Sequence, residues 1–202
     1  MDYIISILPA MFEGTSATLQ MFFITIILSI PLGLLLALGR MSSNRGLRSS
    51  IATYIWVMRG TPLMLQLLFV YFGLPFVPVI GVRLDDFPAA LLAFSLNYAA
   101  YFAEIFRAGI QAIDKGQYEA AKSLGMNYFQ TMVYIVMPQA LKRALPTLVG
   151  EMIALVKDSS LVSVISITDL TKVGREIVAN TFSPFETWLI IAAMYFVITF
   201  AL

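Results

Sequence analysis

The chain has 202 residues, of which 59% are hydrophobic and only 12% charged, with a mean hydropathy of +0.85. Soluble domains carry roughly a quarter charged residues, so this composition excludes one and points to a polytopic membrane protein. Thirteen Lys and Arg against twelve Asp and Glu exclude a basic nucleic-acid binder, and the absence of Cys and His removes disulfides, thiolate nucleophiles, the commonest metal ligands and the usual general base.

A membrane span needs about 20 mainly apolar residues, so the gaps between charges locate the spans. Residues 1–14, with Ile4, Ile5, Ile7 and Leu8 ahead of Pro9, read as a short amphipathic segment at the outer surface. No charge falls between Glu13 and Arg40, which predicts a first span over about 15–39. Its flanks are wrong for a signal peptide: Asp2 and Glu13 precede it, and the first positive residue, Arg40, follows it. Arg40, Arg45 and Arg48 then mark an inner loop by the positive-inside bias, which puts the N-terminus outside.

A second span is expected over about 51–75. It carries Arg59, followed by Gly60, Thr61 and Pro62. Pro62 has no N–H to donate, which frees the carbonyl four residues earlier, that of Met58. A helix opened there offers backbone groups to a zwitterionic ligand, with Thr61 and Gln66 alongside. The same residues serve equally as a kink for packing. Phe76 to Asp86, with Pro78 and Gly81, reads as a turn-rich outer loop. In the third span, about 88–112, Asn97 either bonds across helices or faces a pathway. Glu104 and Arg107, three residues apart, have the spacing of an intrahelical ion pair.

The link after the third span predicts a short helix over Gln117–Leu124, built of good helix formers. Gly125 is suited to the left-handed conformation that ends such a helix, and Asn127 to the N-cap of the next. Glu119, Ala120 and Ala121 present a small, smooth surface that another protein's helices can approach.

The fourth span, about 136–157, places Glu151, Leu155 and Asp158 at i, i+4 and i+7, on one helical stripe. Two carboxylates on that stripe make a negative lane. The plainer alternatives are that Asp158 caps the helix or pairs with Lys157, Arg59 or Arg83, and that Glu151 bonds a neighbouring span. Ser159 follows as a capping or ligand-bonding hydroxyl. Residues 159–184 are mixed, apolar and β-branched over Leu161–Ile167, then amphipathic over Asp169–Asn180. A fifth span begins at about 186 and is still apolar at Leu202, so a short tail is expected to follow. The five spans put seven positive residues on inner segments and four on outer ones, in keeping with an N-terminus outside and a C-terminus inside.

The segment Glu119-Ala-Ala121, Gly125 and Ile135-Val-Met137-Pro138 resembles the Glu-Ala-Ala (EAA) loop of permease subunits in ATP-binding-cassette (ABC) importers. Met137 stands where that pattern usually has Leu, a volume-conserving change. Arg59 to Pro75, Tyr101 to Ile110 and Lys157 to Leu161 are similar to further signatures of the histidine, glutamine and arginine permeases, so the likeness spans nearly the whole chain.

The resemblance implies an all-α membrane protein of the type I importer permease fold, a single transmembrane domain over 1–202 in a bacterial inner membrane. It implies no catalysis in this chain. ATP and Mg would be held by two cytoplasmic ATP-binding subunits, and no phosphate-cradling Gly-x-x-x-x-Gly-Lys-Ser/Thr occurs here. A second permease subunit (in a homodimer or a heterodimer) and an extracytoplasmic amino acid-binding protein complete the implied assembly. A coupling helix over about 116–125 would engage the ATPase through Gln117, Glu119, Ala120, Ala121 and Gly125. The expected cargo is a polar amino acid. Glu151 and Asp158 would draw the cationic part of arginine, lysine or histidine, with its carboxylate at Thr61, and Gln66 and Ser159 nearby. Glutamine, glutamate or another polar amino acid is the alternative, and a stand-alone channel or ion-coupled carrier the alternative of another class.

Overall fold

The computed structural model describes residues 2–78 and 81–202, with side chains from residue 6 onward. Ile4 and Ile5, and residues 79–80 of the expected outer loop, lie outside the described side chains. Among the described residues every regular element is helical, as the hydropathy pattern requires: in lipid a helix satisfies its own backbone polar groups.

The first helix, α1, runs unbroken from Asp2 to Arg40, 39 residues. Residues 2–14 are therefore its first turns, continuing through Pro9, rather than a separate surface segment. The reason is tertiary. Ile7 and Met11 are buried with Leu170, Val173, Ile177 and Ile191, so the start of α1 has a core of its own to join. After a short loop, α2 (Arg45–Gly60) ends at the Thr61–Pro62 break, and α3 (Leu63–Leu68) continues into a π-turn over Phe69–Gly73 and a 3-10 turn over Leu74–Phe76. The helix α4 spans Asp86–Gln111, and the link contains α5 (Lys115–Ser123) and the single turn α6 (Tyr128–Gln130).

A π-turn over Thr131–Val136 then leads into α7 (Met137–Asp158). Pro138 cannot donate to the carbonyl of Tyr134, and the wide turn ahead of it accommodates the missing bond. A 3-10 stretch, Ser159–Ile165, precedes α8 (Leu170–Thr181) and α9 (Pro184–Phe200). The amphipathic stretch after Asp169 is thus a helix. The Asp169 side chain caps it, accepting from the N–H groups of Thr171 and Lys172 at 3.0 Å each.

Two helices, Ser6–Arg40 and Asp86–Gln111, are each long and apolar enough to cross a bilayer, and α2 with the helical turns over Leu63–Phe76, bent by 104° at their break, counts as a third where the bent pair is taken as one span. The 17 residues of α9 are apolar but short, and α7 carries Lys142, Arg143, Glu151, Lys157 and Asp158 along its length. Helices stand at the five expected places; of the last two, α7 is the charged one and α9 the short one.

The chain forms two compact units: one takes in the chain up to Leu28, Thr61–Leu96 and everything from Met152, the other Ser29–Gly60 and Asn97–Glu151. In the second unit Gly109 lets α4 and α7 approach closely, since a Cβ there would lie 2.9 Å from the carbonyl oxygen of Ala140.

Candidate functional site

The second unit gathers a cluster of charged side chains. Along α4, Tyr101, Glu104, Ile105 and Ala108 recur at helical spacing, and along α7 Arg143, Thr147 and Glu151 do the same. With Arg59 from the last turn of α2, they line a cavity of about 440 Å³. A second cavity of about 460 Å³ shares Arg59, Tyr101 and Glu104 and adds Arg40 and Trp56.

The charges of the first cavity are partly paired. Arg107 donates to one oxygen of Glu104 through Nη2 at 2.5 Å and Nε at 3.0 Å, and through Nη1 to Gln111 Oε1 at 2.6 Å. This is the ion pair that the i, i+3 spacing predicts. The Arg59 guanidinium lies 5.1 Å from the centre of the Tyr101 ring, within cation–π reach. Arg143 donates through Nη1 to the main-chain carbonyl of Ala112. Three guanidinium groups and two carboxylates (Glu104 and Glu151) therefore border one water-accessible space. Such an array has the chemistry to bind and orient a small molecule carrying both charge signs.

The residues expected to bind substrate are divided between the units. Glu151 is half-buried and lines the charged cavity. Thr61, Gln66, Asp158 and Ser159 belong to the other unit. There Gln66 Nε2 donates to Thr61 Oγ1 at 2.7 Å and to the Thr61 carbonyl at 3.2 Å, across the proline break. Ser159 is fully buried and its hydroxyl donates to the Val156 carbonyl at 2.6 Å, while Asp158 is half-buried at the end of α7.

Arg143 and Tyr101 are site residues that the sequence reading above does not include. The signal was present: Arg143, Thr147 and Glu151 stand at i, i+4 and i+8, a polar stripe extending Glu151 in the N-terminal direction.

The link is capped at each of its turns. The Asp114 side chain accepts from the Gly116 N–H at 2.6 Å and starts α5. Gly125 ends it at φ +75°, and Asn127 and Gln130 form a reciprocal capping box at 2.9 Å each way. Gln117, Glu119 and Ala120 are exposed, whereas Ala121 is buried, so only one of the two alanines lies on the free face. Tyr118 packs against a core of Ile110, Ile113, Met132, Val136 and Ala140, and burial pushes its hydroxyl pKa up.

Residues 29–202 match the family model described as "Binding-protein-dependent transport system inner membrane component". The chain is 42% identical over 195 residues to the "Arginine transport system permease protein ArtQ" of Bacillus subtilis, covering 96% of this chain and 88% of that protein. It is 38% identical over 200 residues to the "Putative glutamine transport system permease protein GlnP" of Rickettsia conorii, covering 98% and 91%. Among solved structures, that of an amino acid ABC transporter with histidines superposes with a TM-score of 0.89 at 42% identity, over 98% of this chain and 91% of that one. The MetNI methionine ABC transporter, at 18% identity and a TM-score of 0.71, shares the fold.

Proposed function

This chain belongs to the family of inner membrane components of binding-protein-dependent transport systems, and on that premise we propose that it forms the pathway for a polar amino acid, a basic one on the first reading, in an ATP-driven importer. It is an amino acid ABC importer permease; its cargo, partners and orientation are the proposed part. The observation that carries the reading is the likeness to an amino acid ABC transporter over 98% of the chain, joined to a charged cavity in the membrane domain.

In this reading the N-terminus lies outside a bacterial inner membrane, and α5 docks on a cytoplasmic ATPase through Gln117, Glu119 and Ala120, with Ala121 and Gly125 holding its shape. A second permease subunit, a second ATPase and an extracytoplasmic amino acid-binding protein complete the assembly, and ATP and Mg belong to the ATPases. Glu151 meets the cationic end of arginine, lysine or histidine, and Asp158, Ser159, Thr61 and Gln66 serve the outer part of the route. Glutamine is the second reading. It is favoured by the three arginines that share the cavity with Glu151, which oppose a substrate of net positive charge.

The test is a labelled uptake panel in proteoliposomes holding the permease, ATPase and binding protein. ATP-dependent uptake of one amino acid class confirms the transport role, and uptake without the ATPase rejects it. E151Q should reduce uptake of cationic amino acids and spare neutral ones; equal loss of both rejects the basic reading.

A further inference from the structure

We infer that Arg143 is a positioning residue that ties the charged cavity to the α4–α5 junction and lets the state of the cavity be felt at α5. The inference rests on the transport reading above, and it concerns how that site is linked to ATP hydrolysis.

Arg143 lines the cavity together with Glu104, Arg107 and Glu151. The same guanidinium donates to the carbonyl of Ala112, which stands just past the end of α4, where carbonyls lack intrahelical partners. Two residues on, Asp114 begins α5 by accepting from the Gly116 N–H. Arg143 therefore ties α7 to the junction between α4 and the short link helix.

One turn earlier on α7, Gln139 supplies a second grip: its Nε2 donates to Gln117 Oε1 at 3.2 Å and to the Ile135 carbonyl at 2.8 Å. Tyr118 seats α5 on the core shared by the end of α4 and the start of α7. The two grips differ in one respect. Gln139 is neutral and does not border the cavity, whereas Arg143 is charged and does.

A guanidinium has five donors in one plane, so it can hold a carbonyl with one edge while its charge answers to groups beside it. Glu151 lies two turns further along the same stripe of α7. A charged substrate group entering the cavity, or a shift of Glu151, competes for the guanidinium that secures Ala112. Occupancy of the cavity and the hold on α5 are then two uses of one side chain, the kind of local charge event that biases a two-state element.

The experiment uses the full complex in proteoliposomes and reads the ratio of ATPase rate with amino acid-loaded binding protein to the rate without it, together with KM and maximal rate of uptake. For R143Q the ratio should fall at least about fivefold, the lower range of ordinary coupling energies, with the loss in maximal rate rather than in KM. R143K keeps a charged donor and should recover most of the ratio. An R143Q complex whose ratio stays at the wild-type value overturns the inference, as does a raised KM with the ratio intact, which would make Arg143 a substrate ligand. Where R143Q does not co-purify with the ATPase, R143K decides alone: an assembled but uncoupled R143K overturns the role, and a coupled one supports it. A wild-type complex without stimulation rejects the transport reading and this inference with it; a stimulated wild type beside an unchanged R143Q rejects only the inference.

Discussion

The side-chain amide of Asn97 donates to the main-chain carbonyl of Met58 at 3.0 Å. Pro62, four residues after Met58, has no N–H to give, so Asn97 on α4 stands in for the missing helical donor at the end of α2. The amide is almost wholly buried, and in the membrane an unsatisfied carbonyl has no water to turn to.

N97A should therefore lower stability by about 0.5–2 kcal/mol, read as a fall in the unfolding temperature in detergent. P62A restores a main-chain donor to the Met58 carbonyl. In the double variant P62A/N97A the loss should be smaller than the sum of the single effects. Simple additivity of the two would show that Asn97 does not replace the proline's missing bond.

The same pair separates what is local along the chain from what is not. The freed carbonyl of Met58 follows from Pro62 alone, and the Glu104–Arg107 pair from spacing alone, because both are local. The partner of Met58 is 39 residues away, and nothing along the chain selects Asn97 over another polar side chain. Residues 1–14 read as a separate segment because Pro9 and Glu13 stand ahead of the long uncharged run; burial of Ile7 and Met11 against α8 keeps α1 continuous through both. The helix after Asp169 is amphipathic and capped, but its apolar face has no visible partner until α1 and α9 are placed. The cavity is built from three helices at once, so the stripe that joins Arg143 to Glu151 is visible along α7 but the space it faces is not.

Gly125 has φ +75°, with open space where a Cβ would stand, so backbone conformation rather than crowding restricts the position. G125N should be tolerated, since Asn adopts the left-handed region at little cost. G125V should lose about 1–2 kcal/mol locally and misdirect the chain between α5 and the capping box at Asn127. Co-purification of the ATPase with each variant measures this; equal retention by G125V and G125N would show that the turn does not set the docking surface.

Asp169 is fully buried beneath its two cap bonds, and burial, opposed by those bonds, raises its pKa above the ordinary 3.8. A raised native value means that the folded chain holds the proton more tightly than the unfolded one. The resulting stabilisation is complete below the ordinary aspartate range and is lost as pH rises through the raised value. D169N keeps an acceptor for the Thr171 and Lys172 N–H groups without the charge. It should flatten that acid-range dependence and hold stability near neutrality, whereas D169A should lose about 1 kcal/mol at every pH with the cap. Thermal unfolding across the acid range separates the three proteins, and a D169N profile parallel to wild type would dismiss the carboxyl as its source.

Removing either member of the Glu104–Arg107 pair leaves a charge without its main partner, yet the two losses should not be equal. The cavity has three guanidinium groups, from Arg59, Arg107 and Arg143, and two carboxylates, from Glu104 and Glu151. E104A leaves three cations facing one carboxylate, while R107A leaves two facing two. The side chains are 20% and 29% exposed, so solvent reduces the penalty of a buried broken pair to about 1–3 kcal/mol. E104A should be the less stable single variant, R107A should lie between it and wild type, and E104A/R107A should cost less than the sum of the two. Unfolding temperatures in detergent at low and high salt give the order. If R107A is the weaker protein, the i, i+3 contact governs this region and the summed charge of the cavity does not.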